Sequence, residues 1–171
     1  EDWILYPENI SEQLSLDEVA LSDGELYTVL TSKKAKGRKG SIIAIIKGTK
    51  SETVIENLLK INRKLRLNVK EITLDMAGSM KLIAKRCFTN ATQVVDRFHV
   101  QKLATEALQD MRIQHRWEAI EFENNLLEEA KKIKKSAEIE IFENGDTRKQ
   151  LLARSRYLLY KSREKWTVTQ K

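Results

Sequence analysis

The chain has 171 residues, a formal net charge of +6 and 41% hydrophobic residues, which is enough for one domain or a domain and part of another. No apolar run approaches the roughly 20 residues of a membrane-spanning helix, and the first residues lack the basic start of a signal peptide. A single cysteine, Cys87, excludes a disulfide framework and a cysteine zinc site. We therefore expect a soluble, reduced, cytoplasmic protein.

Residues 1–13 are polar and contain the only proline, so we expect an irregular N-terminal lead-in. Residues 14–21 alternate as a strand, and the segment 22–25 has the composition of a turn. Residues 26–31 are rich in residues that favour strands. Together these segments predict a β-hairpin.

Two further strands and two helices are predicted after the hairpin. The isoleucine-rich residues 41–47 favour a strand buried on both faces. A capping box beginning at Thr49 and an apolar stripe reaching Leu65 predict a single helix. A strand at 71–74, a helix at 78–87 and a strand at 92–95 complete the order β-β-β-α-β-α-β. Right-handed crossovers would join the parallel strands, and this mixed sheet is the plan of the ribonuclease H-like α/β fold.

Beyond Val100 the pattern is helical, with apolar stripes over 103–111 and 151–159. Thr167 and Gln170 resemble a capping box at the end of the chain, which predicts a helix that continues and a truncated fold. We therefore predict three parts: a lead-in at 1–13, the first part of a ribonuclease H-like core at 14–100, and an incomplete α-helical insertion at 101–171.

Charge is distributed unevenly along the chain. Residues 1–30 hold eight acids and no lysine or arginine, whereas basic residues are concentrated at 32–40 and again at 60–70. A solvated loop accounts for such a run. A contact with the nucleic-acid backbone accounts for it equally, because clustered lysine and arginine bind phosphates without sequence preference. The candidates for DNA contact in the first run are Lys33, Lys34, Lys36, Arg38 and Lys39.

Three aspartates lie on predicted strands or at their ends, namely Asp17, Asp75 and Asp96. In a ribonuclease H-like sheet the strands that carry Asp17 and Asp75 lie side by side, which would let the two carboxylates share a divalent metal. Mg²⁺ prefers oxygen ligands, and a pair of such ions about 4 Å apart stabilises the attacking and leaving oxygens of a phosphoryl transfer. The spacing leaves a structural alternative open, in which Asp75 only caps the helix that follows it.

One segment has a more specific pattern than any single acid. It carries Asn90-Ala91, Val94, Asp96-Arg97-Phe98-His99-Val100 and Lys102-Leu103. This spacing resembles the DDE-type transposases of bacterial insertion sequences, of the ISL-three type. The flanking residues agree with that resemblance over about residues 14–167: Asp17-Glu18, Gly24, Tyr27-Thr28-Val29 and the late helix at 154–167.

The resemblance implies the catalytic domain of a DNA transposase that cleaves phosphodiesters and transfers strands with Mg²⁺ or Mn²⁺. By position, Asp17 is the first acid of the triad and Asp75 the second, and both are metal ligands. The family places its third acid, a glutamate, beyond the helical insertion, so Glu106 is not expected to serve. Asp96, Arg97 and His99 belong to the family signature, and their role stays open between orienting the active-site loop and contacting the DNA end.

The resemblance implies three partners, namely the transposon ends, the target DNA and further copies of the protein. It also implies a protein that is associated with the bacterial nucleoid and does not bind a membrane. We expect the 171-residue chain alone to bind DNA weakly and not to transpose. A second interpretation is a non-catalytic DNA-binding remnant of a decayed transposase, which uses the two basic runs.

Overall fold

Alternating apolar residues in the first hundred positions build a six-stranded mixed sheet. The computed structural model describes residues 2–21 and 24–170. The strand order is β1-β4-β3-β2-β5-β6, with β1 to β4 joined by antiparallel pairs and β2, β5 and β6 by parallel pairs. The strands are β1 (Trp3–Leu5), β2 (Gln13–Ala20), β3 (Leu26–Ser32), β4 (Ile42–Lys47), β5 (Glu71–Leu74) and β6 (Thr92–Val95).

The predicted hairpin forms from β2 and β3. Their antiparallel register runs from Leu14 opposite Ser32 to Ala20 opposite Leu26. Of the turn predicted between them, Ser22 and Asp23 lie outside the described residues. The hairpin fixes β2 in the middle of the sheet, so that its other edge is free to pair with β5.

The prediction of an irregular lead-in was wrong. Trp3 to Leu5 form β1, which pairs with β4 and places Trp3 opposite Ile46. Trp3 and Leu5 pack against the core, whereas Ile4 between them is exposed, as the alternation of a strand requires. Trp3 and Ile4 favour strands, but the segment is short, and the edge of β4 supplies the partner that makes it a strand.

The single helix predicted between β4 and β5 is two helices. Helix α1 spans Ser51–Leu59 and begins after Lys50, not after Thr49, and no side chain caps it. Helix α2 spans Arg63–Leu67, and its N-cap Asn62 accepts a hydrogen bond from the Lys64 N–H at 2.9 Å. Asparagine is among the best N-cap residues, which explains why a new helix starts inside the apolar stripe.

Two helices, α1 and α3 (Gly78–Cys87), pack on the sheet and against each other. Leu14 and Leu16 of β2 belong to the buried core, with their neighbours Ile72 and Leu74 on β5. Because side chains alternate along a strand, Asp17 next to Leu16 points away from this core. The packing that holds β2 and β5 together thus leaves the Asp17 carboxylate exposed.

Cys87, at the end of α3, is almost completely buried. Burial raises the pKa of its thiol to about 11, with a smaller opposing effect from the Arg66 guanidinium. Since the thiolate is the reactive form, we expect native protein to resist alkylation by iodoacetamide at pH 8 and to react at the rate of a free cysteine in urea. Rapid labelling of Cys87 in the native protein, followed by intact-mass spectrometry, would contradict this placement.

Residues 101–171 form a second compact unit. It contains most of helix α4 (Arg97–Lys132) and helix α5 (Arg148–Arg154), followed by short 3₁₀ turns. Glu123 of α4 is only 3% exposed and forms an ion pair with Lys149 of α5 at 2.7 Å. Arg112 adds a hydrogen bond to the Leu152 carbonyl at 2.6 Å. Across residues 2–21 and 24–170, no helix is long and apolar enough to cross a membrane.

Candidate active site

Three aspartates fall in one row across neighbouring strands when the registers of the paired residues are continued towards the ends of β5 and β6. The parallel pairing of β2 with β5 places Ser15 beside Thr73, and that of β5 with β6 places Leu74 beside Val95. Continued along the strands, these registers bring Asp17 level with Asp75 and Asp75 level with Asp96. We call Asp17, Asp75 and Asp96 the acid row. It lies at the carboxyl ends of β5 and β6, where ligands of open α/β sheets bind.

Each carboxylate of the acid row is oriented by a backbone N–H. Oδ1 of Asp17 accepts from the N–H of Glu18 at 2.8 Å, and Oδ1 of Asp75 accepts from the N–H of Ala77 at 2.7 Å. Oδ1 of Asp96 accepts from the N–H of Phe98 at 2.8 Å. These contacts use one oxygen of each carboxylate, so the second oxygen is left for another ligand.

The structural alternative, in which Asp75 caps the helix that follows it, is not what the fold shows. Helix α3 has Ala77 as its N-cap, and no side chain caps it. Oδ1 of Asp75 instead accepts the N–H of Ala77, two residues later in the chain, as in an Asx turn that precedes the helix. This contact uses one carboxylate oxygen and is compatible with a metal-binding role for the other.

Glu18 belongs electrostatically to the same cluster, although the sequence pattern assigned it no role in the site. Partial burial raises the pKa of its carboxyl group, and the negative charges of Asp75 and then Asp17 raise it further. Its position directly after Asp17 was the only signal in the sequence. The negative charges of both aspartates therefore act on Glu18, which places its carboxyl group near the acid row.

Asp17 and Asp75 of the acid row supply a pair of carboxylates, not a closed metal cage. Within the described part of the chain, no three or more His, Cys, Asp or Glu side chains cluster tightly enough to hold a metal ion. Mg²⁺ commonly binds through one or two carboxylates and keeps several waters. The free oxygens of Asp17 and Asp75, and the repulsion felt by Glu18, are the features that a divalent cation would suit.

A family model described as a transposase, DDE_Tnp_ISL3, matches residues 14–171. The chain belongs to this transposase family. No curated protein matches the chain. The family match begins at Leu14, the first fully buried residue of β2, and includes the whole acid row.

Asp96, Arg97 and His99, which the sequence resemblance assigned to a family signature, lie at the junction between the sheet and helix α4. Asp96 follows β6 directly, and Arg97 is the first residue of α4 and is exposed. His99 is partly buried, and its Nε2 atom lies 4.0 Å from Oδ1 of Asp17. The fold thus brings the signature histidine to the first acid, which is eighty-two positions earlier in the chain.

The basic loop, residues 33–40, lies towards the opposite end of the sheet from the acid row. It follows Ser32, which pairs with Leu14 near the start of β2. Lys33 turns back along the sheet, donates a hydrogen bond to Thr73 and forms an ion pair with Glu71 at 3.4 Å. The other four basic side chains of the loop are exposed: Lys34, Lys36, Arg38 and Lys39. A cavity of about 1000 Å³ at this end is lined by Lys34, Asn68 and Lys70 among others.

Glu106 lies on α4 in the second unit. Its carboxylate is 3.8 Å from the ammonium of Lys102, one helical turn earlier, and both side chains are exposed. This is an ordinary surface pair on a helix. The contact gives Glu106 no feature that would mark it as the third acid.

Proposed function

We propose that residues 14–100 are the first part of a ribonuclease H-like catalytic core of a DNA transposase. The strands β4, β3, β2, β5 and β6 form an antiparallel meander followed by parallel strands with helical crossovers, which supports this fold assignment. The single observation that carries the catalytic proposal is the parallel pairing of β2 with β5, whose register, continued two residues past Ser15 and Thr73, brings Asp17 level with Asp75. Residues 101–171 are proposed as the helical insertion of the same protein.

In this proposal Asp17 and Asp75 hold Mg²⁺ or Mn²⁺ through the oxygens that the backbone leaves free. When bound, such an ion stabilises negative charge on the phosphoryl group and on the attacking and leaving oxygens. The protein's own contribution is to fix the two carboxylates by short contacts to backbone N–H groups. Asp17 is exposed and Asp75 and Asp96 are half-buried, so solvent reaches the acid row, which suits a polymer such as DNA as the substrate.

The alternative, a DNA-binding remnant without catalysis, differs in one measurable property. A catalytic core binds Mn²⁺ at the acid row. A remnant that binds DNA only through its basic runs does not need to bind Mn²⁺. Mn²⁺ binding by the 171-residue chain, followed by the electron paramagnetic resonance signal of the free ion, separates the two. DNA binding without any Mn²⁺ binding would reject the catalytic proposal and favour the remnant.

Neutralising the four exposed basic residues of the loop is expected to weaken DNA binding. The variant carries Lys34→Gln, Lys36→Gln, Arg38→Gln and Lys39→Gln and keeps Lys33, which is paired with Glu71. If all four contact phosphates, the slope of log Kd against log salt falls by about 3–4. Fluorescence anisotropy with labelled duplex DNA, measured over a series of salt concentrations, gives this slope.

A matched control removes the same charge elsewhere. Lys131, Lys132, Lys134 and Lys135 are four exposed lysines near the end of α4. Their replacement by glutamine lowers the net charge equally but leaves the loop intact. Equal losses of affinity in the two variants would show that total charge, and not the loop, determines DNA binding.

A further inference from the structure

Asp96 determines where helix α4 begins relative to the acid row. Its N–H donates to the carbonyl of Leu74 at 2.8 Å, so it is held beside the residue that precedes Asp75. Its Oδ1 accepts from the N–H of Phe98 at 2.8 Å, as an N-cap side chain does. One residue therefore joins the end of β5 to the first turn of α4.

That first turn carries His99 towards Asp17. The imidazole Nε2 lies 4.0 Å from Oδ1 of Asp17, and the side chain of His99 is only 30% exposed. The ring of Phe98 meets the imidazole edge-on, with 5.7 Å between ring centroids and an interplanar angle of 83°. The start of α4 thus places the imidazole beside the acid, with one edge-on contact to the ring of Phe98.

Both contacts on the Asp17 carboxylate involve the same oxygen. The N–H of Glu18 donates to Oδ1 at 2.8 Å, and His99 approaches that atom from the start of α4. The 4.0 Å separation is longer than a hydrogen bond of about 2.7–3.2 Å, so the two side chains are close neighbours in the structure without a hydrogen bond. Both contacts involve Oδ1 and neither involves Oδ2.

We propose that Asp96 and His99 act together as positioning residues for Asp17. Asp96 caps and anchors the first turn of α4, and His99 holds Oδ1 of Asp17 so that the other oxygen faces a bound cation. This inference rests on the proposed function, since it assumes that Asp17 is a metal ligand. It assigns a separate role to each of these two residues of the family signature. Neither residue contacts the metal directly.

The contact itself is testable without any metal, because the chain contains only two histidines. In ¹⁵N-labelled protein at fixed pH, His115 serves as the internal reference, since its Nδ1 is 2.8 Å from Glu118 in the second unit. Asp17→Asn is expected to shift the ring nitrogen signals of His99 and to leave those of His115 unchanged. Asp96→Ala should also shift the His99 signals, whereas Asp96→Asn keeps a capping oxygen and should not. Unmoved His99 signals in Asp17→Asn would overturn the proposal.

The effect on the metal site is tested with Mn²⁺. Replacement of a residue that orients a metal ligand typically lowers metal affinity by about 10- to 100-fold. His99→Phe and Asp96→Ala are therefore expected to raise the Kd for Mn²⁺ about tenfold or more. His99→Gln keeps a donor and Asp96→Asn keeps the cap, so both should recover most of the affinity. His115→Phe is the matched control and should not change the Kd.

The outcomes separate this inference from the proposed function. If wild type binds Mn²⁺ and His99→Phe binds it equally, the positioning role is wrong while the metal pair stands. A failure of His99→Gln or Asp96→Asn to recover affinity, with the fold intact by circular dichroism, also contradicts it. If wild type binds no Mn²⁺, the proposed function fails, and the positioning of Asp17 for a metal fails with it, whatever the ring signals of His99 show.

Discussion

Asp17→Asn and Asp75→Asn are each expected to weaken Mn²⁺ binding by the 171-residue chain roughly tenfold or more, which corresponds to about 1.4 kcal/mol. Each substitution removes one negative charge from a pair that is proposed to hold the ion. Asparagine keeps an oxygen that can accept the N–H of Glu18 or of Ala77, so the local backbone is retained. The variants therefore separate the charge of each carboxylate from its structural contact.

The measurement is an Mn²⁺ titration followed by the resonance of the free ion, with circular dichroism to verify the fold. Asp110→Asn is the matched control, since Asp110 is an exposed aspartate on α4 in the second unit. It should bind Mn²⁺ as wild type does. Equal binding by wild type, Asp17→Asn and Asp75→Asn would reject the metal assignment.

Leu58→Ala is expected to lower the free energy of unfolding of the first unit by about 2–5 kcal/mol. Leu58 is 0% exposed in helix α1 and belongs to the core between the helices and the sheet. Its neighbour Leu59 is 47% exposed, so Leu59→Ala removes the same atoms from the surface and should cost less than about 1 kcal/mol. Both variants shorten a leucine of α1, and they differ in whether that leucine faces the core or the solvent.

Urea unfolding of the first unit can be followed by the fluorescence of Trp3. Trp3 packs against the core, and the ammonium of Lys60 lies 3.9 Å from the centre of its ring. A background with Trp117→Phe and Trp166→Phe removes the tryptophan signals of the second unit. Similar midpoints for Leu58→Ala and Leu59→Ala would contradict the packing of α1 on the sheet.

Much of the sheet could be predicted because its signal is local. The alternation around Leu14 and Leu16 predicted the strand that carries Asp17. The short apolar runs before Asp75 and Asp96 predicted the two strands that end at those acids. The errors occurred where the local pattern was weak or continuous. Trp3–Leu5 became a strand because β4 offered an edge, and Asn62 interrupted an apolar stripe that appeared to be one helix.

The candidate site was also predicted only in part. Asp17 and Asp75 were predicted from strand positions and family resemblance, and the signature from Asp96 to Val100 was predicted from the resemblance to the transposase family. The contact of His99 with Asp17, the raised pKa of Glu18 and the return of Lys33 to β5 were not predictable. Each depends on which strands are neighbours and on their register, and no short stretch of sequence contains that information.

The sequence by itself determined most of the strands and helices, the candidate acids and the family, because periodicity and motif patterns act between residues that are close in the chain. The tertiary structure decided which of those residues meet. Parallel pairing of β2, β5 and β6 aligned three aspartates from distant segments, and the capped start of α4 then brought a histidine to the first of them. Such contacts arise from burial of the shared core, which fixes the strand register over long separations.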